Sequence, residues 1–151
     1  MVFIISAFEE LSVRQLYLIY ELRSRVFVVE QNCAYQDVDE KDLKAIHVMM
    51  FENEALLGYC RILPPGVSYP EVSVGRVVVS HNQRGSQKGR VLMNKCLEIC
   101  RTIYGNQDIV ISAQSYLQKF YSSLGFLKVG EEYLEDNIPH IQMRSVKSVS
   151  Q

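Results

Sequence analysis

Two glycine-rich patterns that commonly hold nucleotide phosphates are missing from this sequence. A Walker loop needs four residues between its glycines and then Lys-Ser or Lys-Thr, whereas three residues separate Gly85 from Gly89 and Arg90 follows. The pattern G-x-G-x-x-G does not occur either, so a nucleoside triphosphatase or a dehydrogenase is disfavoured. An excess of one charge is also lacking: 16 Lys and Arg stand against 17 Asp and Glu, for a net charge of -1. General attraction to nucleic acid or anionic lipid is thereby excluded, and any basic patch is local.

The four cysteines, at 33, 60, 96 and 100, form no C-x-x-C pair and have no histidine at a spacing typical of zinc. Cys96 and Cys100 share an apolar helical stripe with Leu92 and Ile103, which reads as buried thiols rather than metal ligands. No metal is therefore expected. No apolar run approaches membrane-spanning length, and Met1 to Ile5 has no basic leader and alternates into Ser6 and Ala7 as a strand does. The expectation is a cytoplasmic protein with no membrane or nucleic-acid partner. Repeats, low-complexity segments and linkers are absent, and 151 residues at 48% hydrophobic content suit one domain, 1–151, with a substantial core.

Hydrophobic periodicity predicts an alternation of strands and helices. Val2 to Phe8 reads as a strand. Ser12 caps a helix running to about Val29 on the apolar positions Val13, Leu16, Tyr17, Tyr20 and Phe27. Asn32 to Lys44 is acidic but lacks the central glycine and terminal glutamate of a calcium loop, so it reads as an exposed loop bordering a site. Ala45 to Phe51 and Ala55 to Leu63 form a hairpin and begin an antiparallel meander that leads to the strand Val74 to Ser80. A helix follows, buried through Val91, Leu92, Cys96, Ile99, Cys100 and Ile103 and stopped by Gly105. Ile109 to Ser112 is then a strand parallel to Val74–Ser80. A short helix Ser115 to Ser123, strands Phe126 to Val129 and Ile138 to Arg144, a turn at Glu135-Asp136-Asn137 and a frayed tail beyond Val146 complete the chain.

The turn between the Val74–Ser80 strand and its helix is the strongest chemical feature. Gly85 and Gly89 allow close backbone approach, the helix start presents unpaired N–H groups, and Arg84, Lys88 and Arg90 add cations where a diphosphate would lie. A strand-to-helix turn with solvated basic residues fits the same letters. Arg84-Gly85-Ser86-Gln87-Lys88-Gly89 resembles the acetyl-CoA loop of the GNAT N-acyltransferase superfamily, with Gln87 where glycine is usual; that replacement implies a backbone with no need of positive φ there. Phe120-Tyr121-Ser122-Ser123-Leu124-Gly125-Phe126 resembles the superfamily's Tyr-x-x-x-Gly-Phe signature. With the blocks LRSRVFVVEQ, DVDEKDL, GRVVVS, SAQSYLQKFY and NIPHIQM, nearly the whole chain is similar to the ElaA-like branch.

This resemblance implies the GNAT fold, an α/β (α+β) mixed sheet of about six or seven strands flanked by about three or four helices, with two central parallel strands splaying apart. It implies acetyl-CoA as co-substrate: backbone groups of Val77, Val78 and Val79 would pair with the pantetheine arm, Gly85 to Arg90 would take the diphosphate, and Gln114 would touch the cofactor. Tyr121 would be the general acid that protonates the CoA thiolate, with an ordinary packed aromatic as its alternative. The acceptor would be a small-molecule amine or peptide amino group, and the resemblance leaves room for a homodimer. The glutamate that many relatives carry on the central strand is replaced by Gly75 and Arg76, so His140, His47, Glu30 and Glu71 remain as bases, with His140 first. Arg23, Phe27, Glu30, Arg61 and Arg76 are the expected acceptor-side residues; the three arginines would either bind a carboxylate or pair with Glu30, Asp39 or Asp42. A catalytically idle acyl-CoA-binding module is the competing function.

Overall fold

The structure, a computed structural model, describes residues 1–145, so the tail expected beyond Val146 lies outside the described residues. Seven strands form one sheet: β1 (Val2–Ala7), β2 (Ile46–Glu52), β3 (Ala55–Leu63), β4 (Val72–Val79), β5 (Ile109–Gln114), β6 (Phe126–Glu135) and β7 (Ile138–Ser145), in the order β1-β2-β3-β4-β5-β7-β6. The helices are α1 (Val13–Arg23), α2 (Lys88–Tyr104) and α3 (Gln118–Ser122). Strands β1 to β4 are the expected antiparallel meander, and the β2–β3 turn places Asn53 at φ 55°. None of these helices is long and apolar enough to cross a membrane.

Period-two alternation divides the core between the two sheet faces. Val48 and Met50 of β2 pack with Leu92, Cys96 and Cys100 of α2, while Met49 and Phe51 pack with Ile19 and Leu22 of α1. On α2 the buried side chains are Leu92, Met93, Cys96, Leu97, Ile99 and Cys100; Val91 and Ile103, expected in the stripe, are exposed in its first and last turns. The cysteines are unpaired thiols, and Cys60, Cys96 and Cys100 are buried.

Helix α1 is capped by a reciprocal Ser12–Gln15 box and continues directly into a π-helical segment, Ser24–Glu30. The inserted spacing changes which face is buried. Ile19, Leu22 and Val26 enter the core, whereas Val13 and Tyr17 of the expected stripe are exposed and Tyr17 donates to Glu21 on the surface.

Strand β6 runs six residues beyond its expected end at Val129. Its pairing with β7 is interrupted by a bulge between Val129 and Tyr133, with Gly130 at φ 79°, and that break hid the continuation. The β6–β7 turn is made by Asp136 and Asn137, both at positive φ, as a tight hairpin requires.

The central strands β4 and β5 are parallel, as expected, but pair only at Val72–Ile109 and Ser73–Val110. Beyond Ser73 the two diverge. A β-bulge on β4 at this point puts Arg76 at φ 51°.

Candidate active site

Two cavities open along the divergence of β4 and β5. The larger, about 770 Å³, is lined by Val77, Val78, Val79, Arg84, Gly85, Gln87, Lys88, Gly89, Arg90, Gln114 and Tyr121, all expected from the sequence, together with Val26, Phe27, Glu30, Gln31, Tyr116, Leu117 and Phe120. The smaller, about 310 Å³, includes Phe27, Arg61, Arg76, Val77, Gln114, Tyr121 and His140 in its wall. Phe27, Gln31, Val77, Gln114, Leu117 and Tyr121 border both. The cavities therefore meet where the sheet parts.

The loop before α2 has the form an anion site needs. The first intrahelical bond is Val91 N to Gln87 O, 3.1 Å, which leaves the N–H groups of Lys88, Gly89 and Arg90 ahead of the helix, and no side chain caps them. Gly85 has φ 80°. Gln87 has φ 65°, so the expectation that its backbone needs no positive φ is overturned: a residue with a Cβ sits in the left-handed region that glycine enters without strain. Ser86 does not line the cavity; its hydroxyl donates to the Gln83 carbonyl within the loop. The Arg84 guanidinium pairs with Glu30 at 2.8 Å, and Arg90 donates to Ser123 at 2.8 Å above the Phe120 ring. Glu30 thus sits on the loop side, not beside the smaller cavity.

Along the β5 side of β4, backbone groups beyond Ser73 have no strand partner among the described residues, while the other side is occupied by β3 through Tyr59–Val78 and Gly58–Val79. An extended molecule could continue the sheet there.

Tyr121, on α3, is buried between Phe120 and Phe126, edge-on to both at 5.1 and 6.0 Å. Burial, and then the nearby Cys60 and Cys96 thiols, push its phenol above the ordinary tyrosine value. It stays protonated at neutral pH and borders both cavities, the properties of a proton donor between two reactants.

The acidic segment 32–44 is largely exposed and borders the smaller cavity through Cys33, Tyr35 and Lys41, as expected, but not all of its carboxylates face solvent. Asp37 and Asp42 are buried, and with Asp39 they close a cluster with Arg23, Arg61 and Arg76. Asp42 Oδ1 accepts from Arg23 Nη1 and Arg61 Nη1, both at 2.8 Å, and Arg61 also pairs with Asp39 at 2.6 Å. Arg76 pairs with Asp37 at 2.7 Å and lies over Tyr35. Three arginines and three aspartates neutralise one another. Arg23 is fully buried and lines neither cavity, which corrects its expected acceptor role; Arg61 and Arg76 reach the smaller cavity with their charges already paired.

Among the expected bases, His47 is fully buried, with Nδ1 2.7 Å from the Tyr59 hydroxyl and Nε2 2.9 Å from the Asp42 carbonyl. Burial holds its imidazole below the ordinary value, so it is a neutral core group. Glu71 lines neither cavity and pairs with Arg144 at 2.8 Å. His140 does border the smaller cavity, but both ring nitrogens are engaged: Nδ1 donates to the Ile138 carbonyl at 2.7 Å, and Nε2 is 3.3 Å from Glu135 Oε2. The Tyr133 ring stacks on it. Ser112 hydrogen-bonds Tyr133 and donates to Glu135.

Glu135, Tyr133, Ser112, Lys41, Ser73, Tyr116 and Phe120 were missed as site residues. The turn Asp136-Asn137 was a usable signal for Glu135. Its register opposite Ile138 follows from a two-residue hairpin, which carries it toward His140.

A family model described as an acetyltransferase (GNAT) domain matches residues 15–147. Protein ElaA of Escherichia coli (strain K12) is 47% identical over 136 residues, 89% of either chain. The crystal structure of an acyl-CoA N-acyltransferase from Pseudomonas aeruginosa superposes with a TM-score of 0.90 at 39% identity, over 97% of this chain and 100% of the other. That of Escherichia coli ElaA gives 0.88 at 44%, over 95% and 99%.

Proposed function

This chain belongs to the GNAT acetyltransferase family, and from that premise we propose that it is an acetyl-CoA-dependent N-acetyltransferase acting on a primary amine, either a small molecule or a peptide amino group. The observation that carries the reading is the meeting of the two cavities at Tyr121 and Gln114. The larger has the uncapped helix start and the open β4 edge that an extended anionic co-substrate needs; the smaller, about 310 Å³, leaves room beside it for an acceptor.

In this reading the N–H groups of Lys88, Gly89 and Arg90 hold the diphosphate, with Arg84, Lys88 and Arg90 supplying charge. Val77 to Val79 align the pantetheine arm, which brings the thioester to the divergence of the strands. The amine nitrogen attacks the carbonyl carbon, the carbon–sulfur bond breaks, and the Tyr121 hydroxyl gives its proton to the departing sulfur. The proton lost by the amine passes to the His140–Glu135 pair, whose more exposed member is Glu135. Tyr121 is restored by proton exchange with water.

The test is Tyr121→Phe, which keeps the ring and its packing and removes only the hydroxyl. Acetyl-CoA binding, read by calorimetry, should stay within about twofold, and CoA release should fall by ~10²- to 10⁴-fold. Parent-like turnover would make Tyr121 a packing residue. Tight acetyl-CoA binding with no CoA release from any amine would favour an idle acyl-CoA-binding module.

A further inference from the structure

Resting on the acetyltransferase reading, we infer that the acceptor carries a carboxylate as well as its amine, an amino-acid-like zwitterion that spans the smaller cavity. The paired arginines and aspartates leave few charges to address a ligand there. Those left are of opposite sign and on different elements. Lys41, on a short 3-10 turn (Glu40–Leu43), borders the cavity half-buried, and no described residue forms an ion pair with it. Glu135 and Asp136, at the β6–β7 hairpin tip, border it with His140. The 32–44 segment and the hairpin touch through Cys33, whose thiol donates to the Asp136 carbonyl at 3.4 Å.

A second observation is independent of these charges. Ser73 Oγ and Arg61 Nε, both in residues that line this cavity, are buried and have no hydrogen-bond partner among the described residues. Ser73 and Arg61 are each at most 3% exposed. Buried polar atoms are nearly always paired, so two unpaired ones in residues of a single cavity wall mark a place that favours a polar ligand group.

A carboxylate answers both observations. It offers a counter-charge to Lys41 and a polar group to the wall that holds Ser73 and Arg61, while the amine at its other end faces Glu135 and His140. A purely cationic acceptor would leave Lys41 opposed by like charge, and a neutral amine would leave it without a partner. Recognition of this kind discriminates by charge position more than by shape.

The experiment measures CoA release with a panel of amino acids, their amides and their decarboxylated amines, for the parent, Lys41→Met and Lys41→Arg. Amino acids should show kcat/KM at least tenfold above the matching amides. Lys41→Met should cut that preference at least tenfold, chiefly through the acceptor's KM, and Lys41→Arg should restore most of it. Amides or decarboxylated amines turned over as well as the acids, or a preference unmoved in Lys41→Met, would overturn the inference. If no amine releases CoA, the activity fails separately and the same panel is read by calorimetry. Binding of acids that Lys41→Met abolishes upholds the carboxylate site; acids bound no better than amides refute it.

Discussion

Replacing Arg23 with methionine removes one guanidinium from a buried cluster and keeps much of its length and apolar stem. The lost contacts are Nε to Asp37 at 2.8 Å, Nη1 to Asp42 at 2.8 Å and Nη2 to the Asp37 carbonyl at 2.9 Å. What remains is two arginines with three aspartates, of which Asp37 and Asp42 are buried. Removing one partner of a buried ion pair costs ~3–5 kcal/mol, because the other charge is left without compensation. Against a total of ~5–15 kcal/mol for a typical domain, that is a large share. Each kcal/mol moves Tm by ~2–4 °C in a chain of this size, so Tm should fall by roughly 6–20 °C. With a urea slope of ~2 kcal/mol/M, the midpoint should fall by ~1.5–2.5 M. The chain has no tryptophan, so far-UV circular dichroism is the natural signal. Adding Asp42→Asn restores the balance, with Arg61 keeping Asp39 and Arg76 keeping Asp37. The double variant should therefore lose less than the sum of the single losses. A loss below ~1 kcal/mol for Arg23→Met, or strict additivity, would refute the view that this cluster holds the 32–44 segment in place.

Gln87→Gly should raise stability by about 1 kcal/mol by relieving left-handed backbone strain, with acetyl-CoA affinity changed less than about tenfold; melting and calorimetry read the two effects. Glu30→Gln frees Arg84 and removes a negative charge from the loop-side cavity, so acetyl-CoA affinity should rise several-fold and depend more steeply on salt in titrations at two ionic strengths. For Asp39 and Asp42, burial pushes the carboxyls up, but the hydrogen bonds and charges of Arg61 on Asp39, and of Arg23 and Arg61 on Asp42, outweigh it and hold both below the ordinary 3.8. The unfolded chain then takes up these protons first. Their stabilisation should be fully present above about pH 4 and be lost as pH falls through the folded values, visible as a Tm decline on acidification that is weaker in Asp42→Asn.

Local patterns carried most of the architecture. Seven strands, the β2–β3 hairpin, the helix after the glycine loop and the parallel β4–β5 pair are all legible in alternation, helical spacing and turn residues. The errors fall where geometry departs from one regular period. The π segment after Arg23 changes the buried face of α1, and the bulge at Gly130 concealed the far half of β6. The candidate site was legible where backbone makes it, in Val77–Val79 and Gly85–Arg90. It was much less so where distant side chains converge. Asp42 stood among the possible partners of the arginines, but nothing in the sequence marks Asp37, fourteen residues beyond Arg23, as its other partner. The αL conformation of Gln87 was misread because residue identity was taken as a measure of backbone angle. A neighbouring loop can hold a glutamine where glycine would be easier.

The bulge in β6 also bears on how the edge of the sheet can meet another chain. This strand is one of the two edges of the sheet, and nearly all of it is exposed, including Leu127 and Leu134. An uninterrupted edge of such length would invite a foreign strand to add on and so seed edge-to-edge aggregation. The break divides its pairing register into Phe126–Val129 and Tyr133–Glu135, with Lys128, Glu131 and Glu132 exposed along the strand. Neither piece is long enough for a stable foreign register, and the charges repel or must be desolvated. The same bulge that offsets the register ahead of the hairpin tip therefore shortens the stretch of edge on which a foreign strand could pair.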